Sequence, residues 1–435
     1  MRDWEALQRS IAGEVLTPEA AEYEAARKPA IARFHDVRPE AVVRCRAADD
    51  VLEAIAFADG LPVAPRSGGH CFAGGSTTTG MVIDLGPLDD VTVADGFATI
   101  GAGARLGKVY DALLEHGVTI PAGCGPQVGI SGLTLGGGIG IMGRRHGLTC
   151  DSLVGATVAR DGRLVECDEQ NESELFWALR GAGGGRFGIV TSFTFRTLPP
   201  PDVTAFDLRW PYSAAAELVD TWQAWAPDAP DELAASLLIT AGPDPIEPPV
   251  VKVFGAMLGS QAETEAALGH LDPATAEFFH GSHREVKRHL AGAGGPDEGH
   301  PYNRSEFFRE RLPREAITAL IEHFWTGRRP GEARELDFSP WGGAYSRVPT
   351  DATAFAHRDA RFLLKHAAVL EQGVEPDGWL DRSWEIVHPW GTGGVYPNFP
   401  EPGLPDSAYW GANTERLSAD ARRWPPAGAT PRPAT

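Results

Sequence analysis

Between Pro121 and Gly147 the chain reads PAGCGPQVGISGLTLGGGIGIMGRRHG, ten glycines in 27 residues. Fixing glycine costs more backbone entropy than fixing any other residue. A folded segment of this composition therefore needs positive φ angles, or backbone brought close to something with no side chain between. A flexible linker would be polar. Here Val128, Ile130, Leu133, Leu135, Ile139 and Ile141 interleave with the glycines, so the stretch reads as buried backbone drawn against a cofactor.

A pyrophosphate calls for several converging backbone N–H donors without side chains in the way. Two clusters fit: Arg66-Ser67-Gly68-Gly69-His70, and Gly129-Ile130-Ser131-Gly132 followed by Gly136-Gly137-Gly138-Ile139-Gly140. Neither is the Rossmann fingerprint. Gly136 and Gly138 could open it, but Ile141 stands where its third glycine belongs, and the GAGGGRFG run at 181–188 leads into a strand pattern instead of a helix. No glycine-lysine-serine/threonine P-loop is present, which argues against nucleoside triphosphate chemistry.

At 435 residues two or three domains are expected. A net charge of −20 and a pI near 5.1 repel phosphate backbones, so nucleic acid is not an expected partner. No run of about 18 apolar residues is present, which predicts no membrane span. Asp3, Glu5 and Glu14 interrupt what a secretory signal would keep apolar, so the opening reads as a first helix. Cys45, Cys71, Cys124, Cys150 and Cys167 have neither zinc nor disulfide-framework spacing. No metal site and a reducing, cytoplasmic setting are expected.

Periodicity and turn residues predict an α+β chain. Residues 1–40 read as two helices, the second capped by Thr17 with Pro18 at its first position. Strands are expected at 41–45, 61–69 and 80–86, a hairpin arm at 94–103, and helices at 49–60, 104–117 and 173–181. A hairpin turns at Asp161-Gly162, and prolines 199–201 mark a boundary. Beyond it strands (AFDLRW, SLLIT, VVKVFGAML) mix with helices, the last read over 352–370; 290–302 reads as an exposed loop. The expected domains are 1–200, 201–385, a returning segment at 386–425 and a disordered tail at 426–435.

In order along the chain, PVAPRSGGHCFAG (62–74), VIDLGPLDDV (82–91), GAGARLGKVYDAL (101–113), the glycine stretch, GLTCDSLVGA (147–156), ELFWALRGAGGGRFGIVTSFTF (174–195), WGGAYSRVPTDATAFAHRD (341–359) and YPN (396–398) resemble the berberine-bridge-enzyme-like FAD-linked oxidases. These belong to the vanillyl-alcohol-oxidase type of flavoprotein. The resemblance implies a two-part PCMH-type FAD-binding domain, and a substrate domain with a mainly antiparallel sheet backed by helices. It implies FAD held by Arg66, Ser67, Gly68, Gly69, His70 and Cys71 at the pyrophosphate turn, with His70 bonded covalently to the flavin. Gly123, Val128, Gly129, Ser131, Gly132, Leu133 and Gly138 would line the cofactor, Ile189 and Val190 its adenine end, and Tyr396 and Asn398 its ring. The implied reaction is hydride transfer from a small organic substrate to the flavin, with molecular oxygen as acceptor, by a monomer or homodimer.

Two departures stand out. Many members have a second tether, a cysteine in a Cys-Pro-Thr-Val-Gly pattern, where this chain has Gly125-Pro126-Gln127-Val128-Gly129. A single tether through His70 is expected, with Cys124 as the alternative second link. Many members also end a Tyr-x-Asn-Tyr pattern in the tyrosine that deprotonates substrate, where this chain has Phe399. The replacement base is sought among Tyr345, with Arg347 as its cationic neighbour, His388 and Tyr396. The alternatives are a dehydrogenase, a cyclising or monooxygenase-like enzyme of the same fold, and a flavin-binding protein without chemistry.

Overall fold

The computed structural model describes residues 2–292 and 299–421, arranged around three sheets. The first contains β1 (Glu14–Leu16), β2 (Ala41–Arg44), β3 (Val63–Arg66) and β4 (Met81–Asp84) in the order β1-β2-β4-β3. β4 runs parallel to both β2 and β3. Val42, Val43, Val82 and Ile83 are fully buried, the continuous apolar run that a parallel sheet covered on both faces requires.

The second sheet is antiparallel: β5 (Val91–Ala94), β6 (Phe97–Gly101), β7 (Leu153–Arg160), β8 (Arg163–Cys167) and β9 (Ile189–Arg196), ordered β5-β6-β9-β7-β8. β7 and β8 join through Asp161 (φ 50°) and Gly162 (φ 73°), the two-residue turn expected from the sequence. One hydrophobic core joins both sheets, and Ala354, Trp410 and Leu417 pack into it, so the last part of the chain crosses back onto the first.

The third sheet has seven antiparallel strands: β10 (Asp202–Trp210), β11 (Leu233–Ala241), β12 (Val250–Leu258), β13 (Thr275–Ser282), β14 (His300–Phe308), β15 (Glu332–Pro340) and β16 (Phe362–Leu370). Their order is β13-β10-β12-β11-β15-β16-β14. Leu237, Ile239, Leu336, Phe338, Phe362 and Leu364 face the helices Ala215–Trp225, Arg314–Trp325 and Trp379–Val387. Because successive side chains alternate across a strand, Leu238, Asp337 and Lys365 project to the opposite face.

Three expectations are corrected. Residues 362–370 form β16 and not a helix: FLLKHAAVL pairs with β14 on one side and β15 on the other, and that pairing overrides its helix-forming alanines and leucines. The second N-terminal helix does not start at Thr17; Glu14–Leu16 pairs with β2, and Thr17 begins a turn closed by the Ala20 N–H. Of the expected loop at 290–302, residues 290–292 end the helix His283–Gly292 and 300–302 begin β14. Residues 293–298 and the tail expected at 426–435 lie outside the described residues.

Candidate active site

β3 ends at the carboxyl edge of the parallel sheet, where a ligand crevice is expected, and passes into the Ser67–His70 turn. The buried Arg66 guanidinium turns back to the Ala26 and Arg27 carbonyls and to Asp84, 3.2 Å away, so it braces the turn from behind. Ser67 Oγ donates to the Ala102 carbonyl at 2.8 Å, and Ser131 Oγ donates to the same oxygen, which ties the two glycine clusters together. A Cβ on Gly68 would lie 2.3 Å from the Gly129 nitrogen, so the two backbones touch. Gly69 adopts φ +77°, which favours glycine. The N–H groups of Gly68 and Gly69 meet no acceptor among the described residues. They border a cavity of about 930 Å³ whose walls include Ser67, His70 and Gln127, and whose rim carries Lys28, Arg44, Arg46 and Arg105 beside Glu14 and Asp84. Free backbone donors under a largely basic rim fit a pyrophosphate.

The long glycine stretch serves two purposes. Gly132 is exposed, and a Cβ there would meet nothing within 4 Å, which leaves room for a ligand. The later glycines admit other parts of the chain. A Cβ on Gly136 would lie 2.2 Å from Asn398 Oδ1, one on Gly138 (φ +93°) 2.4 Å from Thr149 Oγ1, and one on Gly143 1.7 Å from the Tyr345 hydroxyl. The expectation that the whole stretch hugs a cofactor is corrected: its second half packs against the chain's own side chains.

The other sequence-derived residues spread around this frame. The Val128 carbonyl accepts the Leu106 N–H, and Leu133 presents its carbonyl to Asn398 Nδ2 at 3.0 Å. Ile189 and Val190 are buried in β9 opposite Ala159 and Val158. Burial pushes the Cys71 thiol up, and its sulfur accepts the Gly75 N–H at 3.3 Å. The Gly123 carbonyl accepts from Tyr110 at 2.7 Å and from Lys287 at 3.1 Å; Cys124 Sγ lies 3.7 Å from the Lys287 ammonium.

The structure places the three expected bases in three different settings. Tyr345 is buried, stacks on Trp341 and donates to the Gly140 carbonyl at 3.3 Å; burial pushes its phenol up. Arg347, its expected cationic neighbour, instead pairs with Asp231 at 2.6 Å. The Tyr396 hydroxyl accepts the Gly138 N–H at 3.0 Å and the Asn398 amide at 3.1 Å, and burial raises its pKa to about 12. Tyr396 and Asn398 therefore clasp the glycine stretch. His388 pairs with Glu306 at 2.9 Å and stacks on Trp384. Glu306 is opposite Leu364, so this pair lies on the helix-backed face of the third sheet, away from the glycine clusters.

The opposite face carries a charged cluster that the sequence reading missed. Lys365 Nζ lies 2.6 Å from Glu335 Oε1 and 3.9 Å from Asp337 Oδ2, and Ser339 Oγ donates to Asp337 at 3.2 Å. The ammonium sits 5.3 Å from the ring centroid of Phe399. Phe399 in turn meets Tyr396 at 5.1 Å and Phe72, two residues after His70, at 6.1 Å. Burial works against the Lys365 charge, but Glu335 and Asp337 outweigh it and raise its pKa. Burial pushes the Asp337 carboxyl up against the pull of Lys365. On the same face, Asn303 Nδ2 is buried without an acceptor among the described residues. The signal lies in the alternation of EARELDFSP and FLLKHAAVL, but the alanines and leucines of the second favour a helix.

A profile described as an FAD binding domain matches residues 39–168. Over 432 residues the chain is 33% identical to the FAD-linked oxidoreductase YgaK of Bacillus subtilis (strain 168), covering 94% of this chain and 93% of that protein. It is 31% identical over 408 residues to a chitooligosaccharide oxidase of Gibberella zeae, covering 84% and 80% of the two. The chain belongs to the berberine-bridge-enzyme-like FAD-linked oxidoreductases. The solved structure of Physcomitrella patens BBE-like 1 matches it with a TM-score of 0.87 at 26% identity, over 99% of this chain and 98% of that one. A glucooligosaccharide oxidase from Acremonium strictum, whose FAD is described as 6-S-cysteinyl, 8α-N1-histidyl, shares the fold at 24% identity and a TM-score of 0.87, over 97% and 96% of the two chains. This BBE-like protein is therefore an FAD-dependent oxidoreductase with a PCMH-type FAD-binding domain. Among its described residues no helix is long and apolar enough to cross a membrane.

Proposed function

We propose that this BBE-like protein oxidises a small hydroxyl-bearing substrate, with Asp337 as the proton acceptor and dioxygen as the electron acceptor. Bound FAD would supply the redox chemistry, taking a hydride from a substrate C–H bond and passing the electrons to oxygen, which leaves as hydrogen peroxide. Ser67, Gly68, Gly69 and His70 would hold its diphosphate end, and Gly129, Ser131, Gly132 and Leu133 would line it.

The carrying observation is the Lys365–Glu335–Asp337 cluster above Phe399. With no phenol at position 399, Asp337 is a nearby carboxylate that can accept a proton, and burial raises its affinity for one. Glu335 takes the closer contact to Lys365, which leaves Asp337 to accept the substrate proton. The unsatisfied Asn303 amide is a donor for a substrate oxygen. With two carboxylates to one ammonium, the cluster disfavours anionic substrates and suits a neutral polyhydroxyl compound. The oligosaccharide-oxidase names among the relatives are consistent with that class.

The flavin tether follows the same reading. His70 borders the diphosphate cavity, whereas Cys124 contacts Lys287 on the helix His283–Gly292, which favours one bond through His70. Five free thiols suit a reducing, cytoplasmic setting. A peroxide-coupled screen of aldoses, short oligosaccharides and polyols, paired with anaerobic reduction followed by mixing with oxygen, tests the activity. Peroxide formation that scales with substrate supports the reading. Flavin that bleaches but reoxidises only with an added acceptor would replace dioxygen with that acceptor. Acid precipitation tests the tether: flavin lost from His70→Ala and kept by Cys124→Ser is the expected result.

A further inference from the structure

The chain between Ala26 and Phe34 wraps the outer side of the turn that carries His70. At one end the Arg66 guanidinium holds the Ala26 and Arg27 carbonyls. In the middle Gly69 approaches so closely that a Cβ there would lie 2.9 Å from the Ala30 nitrogen. At the far end the Phe34 ring sits over Gly74, where a Cβ would lie 2.8 Å from it. Arg33 completes the wrap by donating from Nη2 to the Phe72 carbonyl at 2.5 Å.

Arg33 also contacts the substrate domain. Its guanidinium lies 4.2 Å from the ring centroid of Tyr302 on β14 and 4.7 Å from that of Phe34, a cation held between two aromatic rings. Phe72 is thus fixed twice, on its carbonyl by Arg33 and on its ring by Phe399. Both supports come from outside the turn, and Tyr302 belongs to the edge strand of the third sheet. The substrate domain therefore reaches the turn through the contact of Tyr302 with Arg33.

We propose that Arg33 is a positioning residue for covalent flavin attachment, clamping Phe72 on the platform of Tyr302 so that the His70 imidazole is aligned before the bond forms. This rests on the reading of His70 as the tether. The bond joins an imidazole nitrogen to the flavin 8α-methyl carbon, each losing a hydrogen as a proton. The two electrons released pass to dioxygen, which leaves with those protons as hydrogen peroxide. Misplacing a reacting group by about 1 Å can slow a reaction by roughly 100-fold, so a loosened turn should act on attachment well before it acts on folding.

Arg33→Ala, Tyr302→Ala and Tyr302→Phe should be compared with the wild-type holoenzyme by two measurements. The first is the fraction of flavin kept by acid-precipitated polypeptide during incubation with added FAD; the second is hydrogen exchange across residues 67–75. For Arg33→Ala and Tyr302→Ala, attachment should slow by roughly tenfold or more with the thermal midpoint little changed, and exchange should rise. Tyr302→Phe keeps the ring and loses only the hydroxyl beside Arg33, so it should stay closer to wild type than Tyr302→Ala in both measurements. If Arg33→Ala fails to fold, the two Tyr302 variants carry the comparison. Wild-type attachment and exchange in both alanine variants would overturn the proposal. If wild-type flavin is wholly extractable, the His70 reading fails, and exchange at 67–75 alone decides whether Arg33 orders the turn.

Discussion

The two faces of the seven-stranded sheet carry similar chemistry and opposite assignments. On the helix-backed face, Glu306 is 1% exposed and accepts from His388, from Trp384 Nε1 at 3.0 Å and from the Gly393 N–H. On the face toward Phe399, Asp337 has one side-chain donor, Ser339, and an ammonium 3.9 Å away, and it keeps 23% of its side-chain surface. A carboxylate whose oxygens are all engaged holds a structure together; one with spare acceptor capacity at an open face can take a proton. The sheet's alternation decides which is which. His388 looks like a base in isolation but lies on the helix-backed side, while Lys365 and Asp337 lie on the side toward Phe399.

That contrast can be tested from its strongest consequence to its weakest. Asp337→Asn should lower kcat by roughly 100-fold or more with flavin content retained, measured as anaerobic flavin reduction by whichever substrate the screen identifies. Equal rates in the variant and wild type would place the base elsewhere. Glu306→Ala should do the reverse: about 2 kcal/mol of stability lost in urea unfolding, as buried donors lose their acceptor, with turnover per bound flavin unchanged.

Lys365→Met should move the acid limb of the kcat/KM profile to higher pH. Asp337 accepts a proton only when ionised, so the rate falls as pH drops through its carboxyl pKa, which burial already raises. Removing the adjacent ammonium raises that pKa further, so the loss begins at a higher pH; an unmoved limb would separate Lys365 from the base. His388→Ala should be mildest, about 1 kcal/mol of stability with kcat/KM unchanged. A large drop in turnover there would erase the distinction between the faces.

Legibility differed from region to region. The Asp161-Gly162 hairpin and the helices at 49–60 and 104–117 were readable because local chemistry specifies them: two φ-positive turn residues, and apolar spacing closed by glycine. β16 was not, because FLLKHAAVL contains good helix formers and becomes a strand only through pairing on both edges. The missed cluster follows from that misreading, since a helix would have put Lys365 on no sheet face. The glycine stretch was read half correctly: density and hydrophobic interleaving show buried backbone, but not whether a ligand or Asn398, Thr149 and Tyr345 fill the space beside it.

By itself the sequence determined the family, the α+β class, the glycine-lined turn that ends in His70 and the lack of a phenol at Phe399. These are properties of residue identity and order. Only the tertiary structure decided which titratable groups share a face, that Tyr345 and Tyr396 brace backbone, and that Lys365 meets two carboxylates contributed by a neighbouring strand. Those outcomes depend on strand register across long separations, where a shift of one residue sends every side chain to the other side.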